Sequence, residues 1–233
     1  MNKYEIVQRI EKFAPLETAE SWDASGWLVE TGRKDVSKVL FCLTPTDDIV
    51  FQAKQLGCDM IISHHPAFFI PCSWKNVDMY CAHTNMDKAK GGTTDTIIKT
   101  LGLQNYVINV EQHEFLRFVE FKNGIEVSEF SKIVSSISKN ARIVNNKNVK
   151  KLYKIAFCAG SGSEFISEAK ALSADCLVTG DLKFHTALDS EIVVYDIGHF
   201  ESEILVLPVF AALLENGVEY CFAQEKSPFE NII

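Results

Sequence analysis

The chain has 233 residues, of which 47% are hydrophobic and 23% charged, a composition typical of folded globular proteins. A chain of this length buries roughly 70–75% of the surface of its unfolded state, so it needs no disulfide merely to fold. The formal net charge is −8 and no basic stripe is visible, which argues against nucleic-acid binding based on phosphate neutralisation. No run of 18 apolar residues is present, and we expect no interaction with a membrane.

The N-terminal segment predicts an amphipathic helix. Apolar side chains recur at helical spacing from Ile6 to Phe13, and Pro15 ends the pattern. A secretory signal would need a continuous apolar run instead. Because the seven cysteines form no Cys-x-x-Cys motif, we expect reduced, mostly buried thiols in a cytoplasmic protein.

Two strand–helix–strand units follow along the chain. Their predicted elements are strand 38–43, helix 47–56 and strand 58–62, then strand 154–159, helix 163–172 and strand 175–178. Units of this length predict parallel strands joined by right-handed crossovers. The segment between the units predicts strands with a turn at Asn123-Gly124, followed by a helix.

The two units are an internal repeat. They align without a gap at an offset of 116 residues, with seven identities over positions 38–65. The same offset places His83 on His199, and Asp87 on Glu203. Each unit therefore presents a His-x-x-x-carboxylate motif after its second strand, and the repetition predicts two related α/β lobes.

The predicted division of the chain has three parts. A first α/β lobe covers residues 1–110, an intervening strand and helix segment covers 111–150, and a second α/β lobe covers 151–233. No low-complexity linker separates these parts, so we do not expect freely hinged domains.

Five of the six histidines lie in four short polar motifs. They are His64 and His65 in SHHP, His83 in AHTNMD, His185 in TGDLKFH and His199 in GHFESE. Each motif comes at or shortly after the C-terminal end of a predicted strand, where α/β sheets place ligands and catalytic groups. The remaining histidine, His113, stands apart and is read as a structural residue.

This pattern predicts a metal site. Adjacent histidines in a plain strand would point to opposite faces, but Pro66 ends the ladder, so His64 and His65 can serve two neighbouring ions. Asp87 and Glu203 each lie one helical turn beyond a histidine. Imidazole and carboxylate are the ligand mixture of zinc, manganese or iron. A core or surface role is the alternative for each histidine taken singly.

Other polar motifs leave more than one interpretation open. Asp181 and His185 could orient metal ligands or transfer a proton, and a structural role is the alternative. His83 or His185 could shuttle the proton of a metal-activated water. The GSGSE loop at 160–164 could hold an anion through its backbone amides, or form a simple strand-to-helix turn. The loop from Trp22 to Trp27 could cover a pocket or pack into the core.

These motifs resemble those of a known family, the dinuclear-metal proteins called GTP cyclohydrolase 1 type 2 homologues or Nif-three-like proteins. The matching stretches are ESWDASGWLVE, CDMIISHHPAFF, AHTNMDKAKGG, AGSGSEFI, ADCLVTGDLKFHTALD and DIGHFESE. They occur in the family's order and cover most of the chain. Ala24 and Thr44 differ from the Asn and Asp that the family usually has at these positions.

The resemblance implies a ligand set, a fold and an assembly. The implied ligands of two metal ions per subunit are His64, His65, Asp87, His199 and Glu203. The implied fold has two intertwined, pseudo-repeated three-layer α/β/α lobes with the metal site between them. The implied assembly is a ring-like homohexamer.

The resemblance also implies a metal-dependent hydrolase with GTP cyclohydrolase-like chemistry. In such a reaction, metal-activated water attacks a purine ring or a related C–N or phosphoester bond of a small molecule, of which a nucleotide is one candidate. The residues themselves show no triphosphate cradle that would single out GTP. The alternative is a non-catalytic protein that handles metal or serves as an interaction scaffold.

Overall fold

The computed structural model describes residues 1–109 and 113–229. The chain divides into two compact units, one made of Met1–Gly92 and Val206–Ile233, the other of Thr93–Leu205. The second unit is therefore inserted into the sequence of the first. Across the described ranges, no helix combines the length and the apolar character needed to cross a membrane.

The helices and strands alternate along the chain. The strands are β1 (Gly26–Val29), β2 (Lys38–Cys42), β3 (Met60–Ser63), β4 (Asp78–Cys81), β5 (Val107–Ile108), β6 (Arg117–Glu126), β7 (Arg142–Val144), β8 (Lys151–Phe157), β9 (Cys176–Thr179), β10 (Val193–Asp196) and β11 (Glu219–Phe222). The α-helices are α1 (Lys3–Phe13), α2 (Asp47–Gln55), α3 (Thr84–Lys88), α4 (Thr93–Thr100), α5 (Val127–Val134), α6 (Ile166–Ala171), α7 (Phe184–Asp189), α8 (His199–Glu203) and α9 (Leu207–Leu214).

The first unit is built on a five-stranded sheet in the order β1-β4-β3-β2-β11. Strands β4, β3, β2 and β11 are parallel, and β1 is antiparallel to β4. Successive residues of β2 point to opposite faces. Leu40 packs in one cluster with Ile49 of α2, whereas Phe41 stacks on Phe210 of α9 with ring centroids 6.2 Å apart. Helices therefore cover both faces of this sheet.

The second unit is built on a six-stranded sheet in the order β5-β6-β8-β9-β10-β7. Strands β8, β9 and β10 are parallel, and the outer strands pair in antiparallel fashion. Ile155 of β8 packs with Phe130 of α5 on one face, and Ala156 packs with Ala169 of α6 on the other. The prediction of an α/β fold with two three-layer lobes is confirmed.

The elements of the predicted repeat are present with small shifts at their ends. The first predicted unit corresponds to β2, α2 and β3, and the second to β8, α6 and β9. A short 3₁₀ turn at Ser163–Phe165 precedes α6 and takes up the start of the predicted helix. The predicted N-terminal helix is α1, whose end at Phe13 agrees with the stop expected before Pro15.

The predicted turn at Asn123-Gly124 is wrong. Both residues lie inside β6, and both halves of this strand pair with β8, with a shift of register between Glu120 and Ile125. Gly124 has a φ of +68°, a left-handed conformation that glycine adopts without steric cost. The two residues therefore form an irregularity within one strand, and the chain does not reverse there.

The compact units divide the chain differently from the predicted lobes 1–110, 111–150 and 151–233. Strand β11 pairs with β2, so the C-terminal end belongs to the first unit. Strands β6 and β7 pair with β8 and β10, so the intervening segment is part of the second sheet. The predicted boundary at 110/111 lies outside the described residues.

A buried ion pair fixes α1 to the first sheet. The side chains of Lys3 and Asp78 are both fully buried, with 3.1 Å between Nζ and Oδ1. Lys3 Nζ also donates to the carbonyl oxygen of Thr31 at 2.6 Å, and Thr31 donates to both carboxylate oxygens of Asp78. Asp78 is the nearer of two carboxylates beside Lys3 Nζ, because Oε1 of the exposed Glu30 lies 3.8 Å away, so loss of Asp78 leaves a buried ammonium poorly compensated.

We expect Asp78→Ala to lower the free energy of unfolding by about 3–5 kcal/mol, since it leaves the Lys3 ammonium buried without its nearest counter-charge. The double variant Lys3→Met/Asp78→Leu should lose clearly less, because no charge is then buried. Urea denaturation measures both. Glu191→Ala, which removes an exposed ion pair with Lys170, is the control and should leave the free energy of unfolding nearly unchanged. Equal losses in the single and double variants would contradict the assignment.

Candidate metal centre

Three imidazoles of the first unit lie together at the carboxyl ends of neighbouring strands. His64 and His65 directly follow β3, and His83 follows β4 at the start of α3. Because β3 and β4 are parallel and adjacent, both ends meet at one edge of the sheet. Each histidine offers one ligand atom, and these atoms lie within 4.8 Å of one another. This group could hold a metal ion.

Hydrogen bonds at Nδ1 orient the two adjacent histidines. His64 Nδ1 lies 3.0 Å from the carbonyl oxygen of Ala82. A carbonyl only accepts, so Nδ1 carries a proton, and Nε2, which lies 3.4 Å from Oδ1 of Asp87, is the ring nitrogen that can bind a metal. His65 Nδ1 lies 2.7 Å from the hydroxyl of Thr44. Metal-binding histidines are commonly oriented in this way through the other ring nitrogen.

A carboxylate supports His83. Asp23 Oδ1 lies 2.9 Å from His83 Nδ1, and Asp23 also accepts hydrogen bonds from Thr84 and Ser25. Burial opposes the charged form of Asp23, but the hydrogen bonds from Thr84, His83 and Ser25 outweigh it and hold its pKa well below the usual range. An ionised Asp23 therefore fixes the orientation of the His83 ring.

The sequence motifs assign no role to Asp23. The aromatic residues are the conspicuous feature of the loop from Trp22 to Trp27, and Trp22 lies edge-on to His83 with ring centroids 6.4 Å apart. The available indication is a carboxylate, with a serine two positions later, in an otherwise apolar loop. The contact with His83 joins positions 60 residues apart, which spacing along the chain does not reveal.

The second unit carries its own imidazole and carboxylates. His199 opens α8 directly after Gly198 at the end of β10, and its Nε2 lies 2.9 Å from Oε2 of Glu203 one turn later. Its Nδ1 lies 2.7 Å from Oδ2 of Asp181. Burial disfavours the charged ring, but Glu203 and Asp181 outweigh burial and raise the pKa of His199 to about 9. The carboxylates of Glu203 and Asp181, which favour the protonated ring of His199, would stabilise a metal cation at the same place.

A glycine makes room for Glu203. Gly160 follows β8 with a φ of +62°, and a Cβ at this position would overlap Oε1 of Glu203. The amide of Gly160 donates to the hydroxyl of Ser202 at 2.9 Å, and that of Gly162 donates to Thr179 at 2.9 Å. Because these amides are used within the protein, the loop fits a strand-to-helix turn better than an anion cradle.

The remaining polar candidates differ in their surroundings. Asp181 has a φ of +53°, a left-handed conformation uncommon outside glycine, and its carboxylate contacts His199. His185 is exposed on α7, and its ring lies edge-on to Phe184 at 5.3 Å. The Nδ1 of His113 accepts hydrogen bonds from the backbone amides of Phe115 and Leu116, which fits a structural role.

The residues present fit divalent metal ions. Imidazole nitrogens and carboxylate oxygens are the donors that zinc, iron and manganese accept. The ring of His64 is fixed by a carbonyl and that of His199 by Asp181, and Gly160 leaves the space that the carboxylate of Glu203 needs.

We expect Gly160→Ala to lower the free energy of unfolding by about 1–3 kcal/mol, because the methyl group would overlap Glu203 and the residue would keep a left-handed backbone. Gly102→Ala is the matched control, since Gly102 also has a left-handed φ of +73° but a Cβ there meets nothing within 4 Å. Urea denaturation compares the two variants. Equal stability of both would show that the space beside Glu203 is not constrained.

Comparison with known proteins identifies the family. Residues 1–76 and 71–228 match the family model described as Duf34/NIF3 (NGG1p interacting factor 3). A protein of Clostridium perfringens named GTP cyclohydrolase 1 type 2 homolog is 32% identical over 263 aligned residues, which cover all of both chains. A Drosophila melanogaster protein named NIF3-like protein 1 is 28% identical, with 91% of this chain and 82% of the relative covered.

Solved structures agree with this assignment. Reduced HcgD from Methanocaldococcus jannaschii superimposes with a TM-score of 0.82 at 27% identity, covering 95% of this chain and 97% of its own. A Bacillus cereus protein related to NIF3 gives a TM-score of 0.83 at 21% identity, covering 100% and 99%, and supports the fold. The resemblance seen in the sequence motifs is confirmed, and the chain belongs to the Duf34/NIF3 family.

Proposed function

We propose that this protein is a hydrolase that depends on two divalent metal ions, with chemistry of the kind named in its relatives called GTP cyclohydrolase 1 type 2 homolog. The ions are zinc, iron or manganese, and the proposed ligands are His64, His65, Asp87, His199 and Glu203. The observation that carries the proposal is that each unit presents imidazole and carboxylate donors, already oriented, at the carboxyl ends of its parallel strands.

The chain's own residues would bind the metal ions, orient the histidine rings and transfer protons. When bound, the ions supply Lewis acidity toward water and toward a polar bond of the substrate. Asp23 holds Nδ1 of His83, so Nε2 of His83 is the atom that would accept a proton, and the carboxylate stabilises the ring once it is charged. Asp181 holds His199 in the same manner. His185 as a proton-transfer residue stays a prediction, because its position on α7 is exposed.

The proposed substrate is a small molecule with a hydrolysable C–N or phosphoester bond. GTP is the first candidate because of the relatives' name alone. The amides of Gly160 and Gly162 already donate to hydroxyl groups of the protein and are not available to bind its phosphates. A metal-handling or scaffold role is the alternative, and tight metal binding without turnover would favour it. A homohexamer in the cytoplasm stays a prediction.

Metal content tests the proposed ligands. We expect about two ions per chain in the wild type by elemental analysis, and loss of metal in His64→Ala, which removes an imidazole, and in Glu203→Gln, which replaces a carboxylate by a neutral amide. Glu201→Gln lies in the same helix and keeps all five proposed ligands, so it should retain the wild-type content.

Two outcomes would contradict the ligand assignment. One is a wild-type protein that holds no metal after purification without chelator and reloading with zinc, iron or manganese. The other is equal metal content in Glu203→Gln and Glu201→Gln. Circular dichroism of each variant separates loss of a ligand from loss of the fold.

The role of His83 has a separate test. We expect His83→Asn to keep the wild-type metal content and to reduce GTP hydrolysis by roughly 100-fold or more, since it removes the proposed proton acceptor. Product formation is followed by chromatography at saturating GTP. A fall in metal content would make His83 a ligand instead. Wild-type protein loaded with metal but inactive on GTP and on a panel of amide and phosphoester substrates would favour the non-catalytic alternative.

A further inference from the structure

Two cysteines of the first unit are in contact although 163 positions separate them. Sγ of Cys58, just before β3, lies 3.6 Å from Sγ of Cys221 in β11. Both side chains are half-buried. Four of the other cysteines are buried, and the fifth, Cys72, is exposed. The prediction of mostly buried thiols is confirmed for those four, and this pair is the exception that combines contact with partial access to solvent.

We propose that Cys58 and Cys221 form an oxidisable dithiol site, which hydrogen peroxide converts to an intramolecular disulfide and a dithiol reductant restores. The site is separate from the candidate metal residues and does not depend on the proposed hydrolase activity. In a reducing cytoplasm, disulfides are transient and are typically catalytic or redox-sensing, so the reversible form is the relevant one.

The two backbone segments can approach each other. A disulfide bond measures about 2.05 Å, so the two sulfur atoms must move together by about 1.5 Å from the observed 3.6 Å. Strand β11 lies at the edge of its sheet and pairs with β2 on one side. Cys58 follows Gly57, whose φ of +66° marks a tight connection between α2 and β3. A shift of the edge strand and of this connection leaves the pairing of β2, β3 and β4 intact.

The surroundings assign different roles to the two thiols. Burial is the main factor that raises the pKa of Cys58 to about 12, and the hydrogen bond and charge of Cys221 add to it. The ammonium of Lys38 lowers the pKa of Cys58, but this effect is smaller than that of burial, and Lys38 is also paired with Glu219 at 2.7 Å. Cys221 lies on the edge strand β11, so we place the reaction with peroxide at Cys221 and the second step at Cys58.

The reaction balances with hydrogen peroxide as the sole oxidant. First, the sulfur of Cys221 takes one oxygen atom from hydrogen peroxide and becomes a sulfenic acid, and the rest of the peroxide leaves as water. Second, the sulfur of Cys58 attacks that of Cys221, and the sulfenic hydroxyl leaves with the Cys58 proton as a second water. The two sulfur atoms lose two electrons in total, and the peroxide gains them.

The test is to oxidise the folded full-length protein with hydrogen peroxide, block the remaining thiols, digest it and map linked peptides by mass spectrometry. The Cys72→Ser background removes the exposed thiol that could crosslink two molecules. We expect a Cys58–Cys221 linked peptide as the main product and its loss on treatment with dithiothreitol. The oxidised protein should also melt roughly 5 °C or more higher, because the bond closes a long loop of the unfolded chain.

Two controls make the outcome decisive. In Cys58→Ser, which removes the second thiol, dimedone should label Cys221 as a trapped sulfenic acid. Cys58→Ala serves the same purpose should the serine variant fail to fold. The proposal is overturned if peroxide modifies Cys72 of the wild type while Cys58 and Cys221 stay free, or if either residue links to another cysteine in comparable yield.

Discussion

The parallel pairing of adjacent strands is the constraint on which the rest of this molecule depends. Parallel neighbours end at the same edge of a sheet, so the residues that follow them come together although they are distant in sequence. In the first unit, the ends of β3 and β4 bring His64 and His65 close to His83. In the second unit, the ends of β9 and β10 bring Asp181 to His199. The same arrangement is therefore used twice, once in each half of the repeat.

Residues from other parts of the chain then fix the orientation of each ring. The first unit uses a carbonyl for His64, the hydroxyl of Thr44 for His65 and the carboxylate of Asp23 for His83. Thr44 is itself held from the C-terminal segment, because Glu225 accepts hydrogen bonds from the amides of Leu43 and Thr44 at 2.7 and 3.1 Å. Glu225, which follows β11 in the first unit, thus supports His65 through Thr44, and β11 itself pairs with β2.

Local patterns were sufficient to predict most regular elements and the histidine motifs. Alternation of apolar runs with helical spacing located β2, α2, β3, β8 and β9 within a few residues, because these segments are buried strands or helices with one buried face. The turn at Asn123-Gly124 was predicted incorrectly because a left-handed glycine fits both a hairpin turn and an irregular strand. The pairing of β8 with residues before and after Asn123-Gly124 shows that the chain continues as one strand.

The sequence by itself determined the class of the fold, the repeat and the chemical type of the candidate ligands, because these depend on residue types and spacing. Tertiary structure decided which groups support them. Asp23 became a partner of His83, Asp181 a partner of His199, and Gly160 the space for Glu203 through contacts that no spacing along the chain specifies. The contact of Cys58 with Cys221 has the same origin. Each of these contacts joins two segments that are distant in sequence and come together only once the strands of the sheet have paired.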